Sequence, residues 1–219
     1  MPRQNRVTPF STLIATPARG TLMGNRGCLH DGHGRVRRPF RGQRWIICLL
    51  EFKNRRREIM TPGRYTELFF LDEATALAAG HRPCAECQRD RFHLFREIWA
   101  EANPQLTSIH RPPASLVDAA LHAERTPINA QAHRTGDSLE SIPDGTFVTD
   151  AEQDAFLVLK NQPWRWSPTG YERPGKRSLR FPVRILTPAS IVHALAKGYP
   201  VGVHPSALQI LGEDGSFSS

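Results

Sequence analysis

The sequence predicts an α+β fold, and three observations carry the prediction. A 39% hydrophobic and 23% charged composition is globular. Short runs dense in β-branched, aromatic and aliphatic residues stand toward both ends of the chain, and segments with apolar residues at helical spacing stand together between them.

Taken in order, the first twenty residues, with Leu13-Ile14-Ala15 as their apolar patch, read as an arm or an edge strand. Residues 28–42 are rich in Gly and Arg and predict a loop or open hairpin. RWIICLLEF (44–52) predicts a strand covered on both faces, KNRRREIM (53–60) its returning partner, and RYTELFFL (64–71), after the Pro62-Gly63 turn, a further strand. Asp72 is a good N-cap for a two-turn helix that ends before Gly80. A second helix over 91–102 aligns Phe92, Phe95, Ile98 and Trp99 on one face and stops at Pro104. A third, over 113–125, takes Ser115 as its cap and Leu116, Ala120 and Leu121 as its apolar side.

Residues 126–145 are polar and without periodicity, which predicts a linker between an N-terminal part (1–125) and a small mostly-β domain (146–212). In that domain, strands are expected at 146–150, 155–160 and 181–188. The segment 163–171 reads as turn-rich, and a short helix follows that Ser190 caps and Gly198 closes. Trp164, Trp166 and Tyr171 are open to two readings, stacking on the bases of a single-stranded partner or plugging a small β-barrel.

Composition also excludes. No apolar run approaches the roughly 18 residues of a membrane span, and the N-terminus lacks the apolar core of a signal peptide. Four cysteines, at 28, 48, 84 and 87, are too few and too uneven for a disulfide scaffold, so reduced thiols and a cytoplasmic location are expected. No Walker, dinucleotide or nucleophile-elbow pattern occurs. The net charge of +8 is concentrated, because residues 1–60 hold thirteen Lys and Arg against three acids.

The sharpest chemical signal is Cys84-Ala85-Glu86-Cys87, a C-x2-C turn that lets two thiolates reach one tetrahedral ion. The pair follows a predicted helix rather than opening one from a strand, which favours zinc over a redox dithiol. Cys28, in the loop GNRGCLHDGHG, is the expected third ligand and His30 the fourth, with His33 or Cys48 as alternatives for that place. Cys48 lies inside the strongest strand and reads first as a small buried hydrophobe. His81, just before the knuckle, is a weaker candidate that suits a hydrogen bond to a sulfur.

The run FFLDEATALAAGHRPCAECQRD (69–90) resembles the metal-binding domain of Ada-type DNA alkylation-repair proteins: aromatic strand end, Ala-rich helix, closing Gly and Arg-Pro-Cys-x2-Cys follow in the same order. The resemblance implies an N-terminal zinc module, made of a short sheet plus helices, with Cys84 and Cys87 as the second pair of a thiolate site. Cys28 stands for the first pair, although position 32, where its partner is expected, is Gly. In that family one zinc thiolate accepts a methyl group from a DNA phosphotriester, a role that would fall to Cys28.

The arginines around this region, Arg35, Arg37, Arg38, Arg41 and Arg44 with Arg55, Arg56 and Arg57 beyond the strand, are suited to bidentate contacts with phosphates. The leading expectation is therefore a zinc-containing protein whose Arg-rich N-terminal face binds nucleic acid, DNA foremost, with the zinc mainly structural. The alternatives are a methyl acceptor using Cys28 and a structural zinc protein whose arginines meet an acidic protein partner.

Overall fold

A computed structural model describes residues 1–55, 58–125, 135–136, 138–150, 153–173, 179–207 and 209. Their architecture is α+β, with two six-stranded sheets. Strands β1 (Gln4–Val7), β2 (Leu13–Ala15), β3 (Leu22–Asn25), β4 (Ile46–Cys48), β5 (Leu68–Phe70) and β6 (Arg82–Pro83) form the first sheet in the order β2-β1-β5-β3-β4-β6. Helices α1 (Glu73–Ala78), α2 (Arg89–Ala102) and α3 (Ala114–Arg125) follow. The second sheet holds β7 (Thr135–Gly136), β8 (Phe147–Thr149), β9 (Ala155–Leu159), β10 (Gln162–Ser167), β11 (Gly170–Glu172) and β12 (Val183–Ile185) in the order β11-β10-β9-β8-β12-β7, before helix α4 (Ala189–Ala196).

Most predicted elements form, but several are shorter than their apolar runs. The strand expected over 44–52 is paired only from Ile46 to Cys48. The returning strand over 53–60 does not form among the described residues: Lys53 and Asn54 have φ of 52° and Met60 of 60°, left-handed conformations that turn the chain. Arg56 and Arg57 lie outside the described residues. The segment read as turn-rich over 163–171 contains the six-residue strand β10. Lys160 and Asn161, with φ of 50° and 59°, make the two-residue turn that joins it to β9. Pro163 conceals this strand in the sequence, since it donates no ladder hydrogen bond. The described part of the expected linker, 135–136 and 138–145, carries β7, a 3-10 turn at Leu139–Ser141 and the buried Ile142, so it belongs to the second sheet's surroundings.

Helix α1 is the shared element. All six of its residues are buried. Ala76 and Leu77 face the core under the first sheet, whereas Ala74 and Ala78 pack with Phe147, Leu157, Trp164 and Tyr171 of the second. Small side chains at i and i+4 let a sheet approach closely on that side. Asp72 caps the helix as predicted, its Oδ1 accepting from the Thr75 amide at 2.8 Å. Gly80, at φ +80°, ends it where an added Cβ would meet the Arg125 side chain. The main core joins Val7, Ile47, Leu68 and Phe70 of the sheet to Phe95 and Trp99 of α2, Val117 and Leu121 of α3, and Ile191 and Leu195 of α4. Ser190 does not cap α4. Instead, Glu124 of α3 accepts from the Ser190 amide at 3.1 Å and hydroxyl at 2.9 Å.

Candidate metal centre

The short edge strand β6 positions the site. Arg82 and Pro83 pair in parallel with Ile46 and Ile47, which carries Cys84 to the level of Cys48 at the end of β4. The Cys84 amide donates to the Ile47 carbonyl at 2.9 Å, and the Gln88 side chain donates to the same oxygen at 2.9 Å. Pro83 suits an edge strand because its missing N–H faces no neighbour. The chain then turns through Ala85 and Glu86, and the Gln88 amide returns to the Cys84 carbonyl at 3.1 Å as α2 begins.

This geometry gathers the sulfurs of Cys48, Cys84 and Cys87 within 4.8 Å of one another. Zn–S bonds of 2.3 Å in a tetrahedron set sulfur–sulfur edges of about 3.8 Å, so the three sulfurs fit around one ion. Backbone amides support sulfur charge: those of Glu86 and Cys87 point at the Cys84 sulfur, the first at 3.4 Å, and that of Leu49 at Cys87. Hydrogen bonding from Cys48, then from Cys87, holds the Cys84 thiol far below its ordinary range. The same contact with Cys84 pushes the Cys48 thiol up. Three sulfurs this close cannot all ionise without a cation, and a bound ion removes that conflict. The donor set therefore fits a metal, and these three close cysteines could hold one. Met23, opposite Cys48 in the β3–β4 pair, packs against the group with Ile46 and Phe69.

Cys84 and Cys87 thus meet as the knuckle predicts, but Cys28 and His30 do not join them. Cys28 lies outside the group, its thiol donating to the His30 carbonyl at 3.7 Å. Both imidazole nitrogens of His30 are engaged, Nδ1 with the Thr66 hydroxyl at 2.6 Å and Nε2 with the Thr61 carbonyl at 3.2 Å. His30 ties the 28–36 loop to 61–66. Asp31 organises the rest of that loop, accepting from the His33 and Arg35 amides and the Arg37 guanidinium. These contacts, the Arg35 amide's first and the Arg37 guanidinium's next, lower its carboxyl pKa to about 2. His33 is exposed, away from the thiols. Cys48, read first as a buried hydrophobe, is the third sulfur. Its place inside an apolar run hid it, and only the parallel β4–β6 pairing brings it to the knuckle.

His81 is also clear of the sulfurs. It is fully buried between Trp45 and Phe70, with Nδ1 on the Ala76 carbonyl and Nε2 accepting from Arg26, and burial lowers its pKa well below the ordinary value. It is neutral. Trp164 and Tyr171 are buried against α1 and so are not presented for base stacking, while the half-buried Trp166 donates to the Thr75 hydroxyl and helps hold the second sheet to α1.

The predicted arginines divide by partner. Arg35, Arg37, Arg38, Arg41 and Arg44 are all exposed. Arg37 is paired with Asp31 at 2.7 Å and Arg55 with Glu86 at 2.6 Å, while Arg35, Arg38, Arg41 and Arg44 make no salt bridge among the described residues. Part of the N-terminal charge is internal: Arg26 is 1% exposed and lies over Trp45. A cavity of about 630 Å³ opens beside Cys84, lined also by Gln43, Arg44, Arg82, Glu86, Ser115 and Asp118. Arg82 is held there by a buried bidentate pair with Asp118 at 2.9–3.0 Å.

The chain matches no protein-family model, no curated protein and no solved structure. Among the described residues, no helix is long and apolar enough to cross a membrane.

Proposed function

We propose that Cys48, Cys84 and Cys87 hold a zinc ion that fixes β4, β6 and the start of α2 to one another, and that the exposed arginine loop running into β4 binds nucleic acid, DNA foremost. The observation that carries this reading is a juxtaposition: Arg44 lines the same cavity as Cys84, at the end of a loop whose Arg35, Arg38 and Arg41 are exposed and without salt-bridge partners among the described residues. Zinc suits an all-sulfur donor set, and its role here is to brace the segment from which the arginines project. The likeness to Ada-type metal-binding domains over 69–90 supports the same reading, with Cys48 in the place first given to Cys28. Three thiolates side by side persist in a reducing compartment, consistent with the cytoplasm. Methyl transfer to Cys28 finds no support, because that sulfur has no place at the ion that would activate it.

The test is a salt titration of affinity for a labelled DNA duplex, read by fluorescence anisotropy. Binding should weaken steeply with salt, and replacing Arg35, Arg38, Arg41 or Arg44 by Gln should reduce the log–log slope by about 1 for each phosphate contact removed. A protein that holds zinc yet shows no binding at low salt would rule out the nucleic-acid reading and favour an acidic protein partner.

A further inference from the structure

The thiol group is complete at three among the described residues: no fourth Cys, His, Asp or Glu places a donor atom within reach of all three sulfurs. A tetrahedral ion held by three residues keeps one position for a ligand from outside. Of the three cysteines, Cys84 lines a neighbouring cavity, and that is the side from which a ligand would approach. Arg82 pairs with Asp118, and the Glu86 carboxylate in the same lining pairs with Arg55, which leaves the exposed Arg44 guanidinium, the Gln43 amide and the Ser115 hydroxyl to receive a ligand. A site with three sulfur donors prefers a soft fourth donor, and Arg44 favours an anionic group on the same molecule.

Building on the metal reading, we propose that the centre is an open ligand-binding site, in which a small thiol carrying a carboxylate coordinates the ion through its sulfur while Arg44 takes the carboxylate. Neither the structural role of the zinc nor the arginine face requires this. No redox step is involved: the thiol gives up its proton to solvent as its sulfur binds, displacing water from the ion.

The experiment uses the full chain with cobalt(II) as the spectroscopic ion. Cobalt bound by three thiolates gives visible d–d and sulfur charge-transfer bands, which are followed during titration with mercaptosuccinate, an anionic thiol, and with neutral 2-mercaptoethanol. Both should shift the bands saturably without releasing cobalt. Arg44→Gln should weaken the mercaptosuccinate response about tenfold, the loss of one charge-assisted contact, and leave that of 2-mercaptoethanol unchanged. Bands that form but do not respond to either thiol would overturn the open site and leave the metal reading standing. So would bands that change in Cys28→Ser or Met23→Leu, since the chain would then supply the fourth ligand itself. An equal effect of Arg44→Gln on both thiols, or none, would overturn the anion assignment. Absence of any cobalt–thiolate band would remove the metal reading and this inference together.

Discussion

On the proposed metal reading, Cys48, Cys84 and Cys87 each contribute one sulfur, so losing any one leaves two donors and a poor site. Cys48→Ser is expected to reduce bound zinc from about one ion per chain to near none, whereas Cys28→Ser should keep it, as checked by metal analysis after gel filtration. That contrast separates the observed triad from the set suggested by the Gly-rich loop. His81 gives a second prediction at this scale. Burial, the nearby cations Arg26 and Arg125 and its acceptor role toward Arg26 keep it neutral in the fold. Its folded pKa is lowered, so below the ordinary value of 6.5 the unfolded chain gains a proton that the folded chain excludes. Its contribution is therefore fully present above pH 6.5 and declines as pH falls, with a limiting slope of about 1.4 kcal/mol per pH unit. Urea unfolding between pH 7.5 and 5 should show a shallower loss for His81→Gln than for the parent.

Among the elements, β6 and α3 are joined by the Arg82–Asp118 pair, whose side chains are 2% and 9% exposed. Removing one partner leaves a buried unpaired charge. Arg82→Met should cost about 3–5 kcal/mol in urea unfolding, and Arg82→Met with Asp118→Leu should recover most of it. Because Arg82 directly precedes Pro83-Cys84, the single variant should also weaken zinc retention. The elements best legible in the sequence are those with local signals, namely α1 between Asp72 and Gly80 and the Phe92/Phe95/Trp99 face of α2. Strand ends were poorly legible, since the left-handed turn at Lys53-Asn54 has neither Gly nor Pro to announce it, and Pro163 argues against the strand it occupies.

At the scale of the whole molecule, α1 is packed on both sides and the last helix shares a core with the first sheet. On the proposed reading, an ion held between β4 and β6 would therefore support one end of a continuous assembly. Chelation of the ion is expected to lower the melting temperature and to speed amide exchange in β4 and β6 more than in β8 and β9, measurable by hydrogen exchange with mass spectrometry. Protons compete with the ion for the sulfurs, so acidification should release it, with loss rising as pH falls.

The sequence by itself determined the α+β class, the C-x2-C knuckle and the concentration of positive charge in the first sixty residues, because each is written in neighbouring residues or in counts. Only the tertiary structure decided which third sulfur meets the knuckle and which arginines remain exposed. Those depend on a parallel pairing between segments 36 residues apart, Ile46 with Arg82, and on carboxylates and aromatic rings that fold back onto particular guanidiniums. Pairing at that distance is set by how whole elements pack, which no local pattern of residue types encodes.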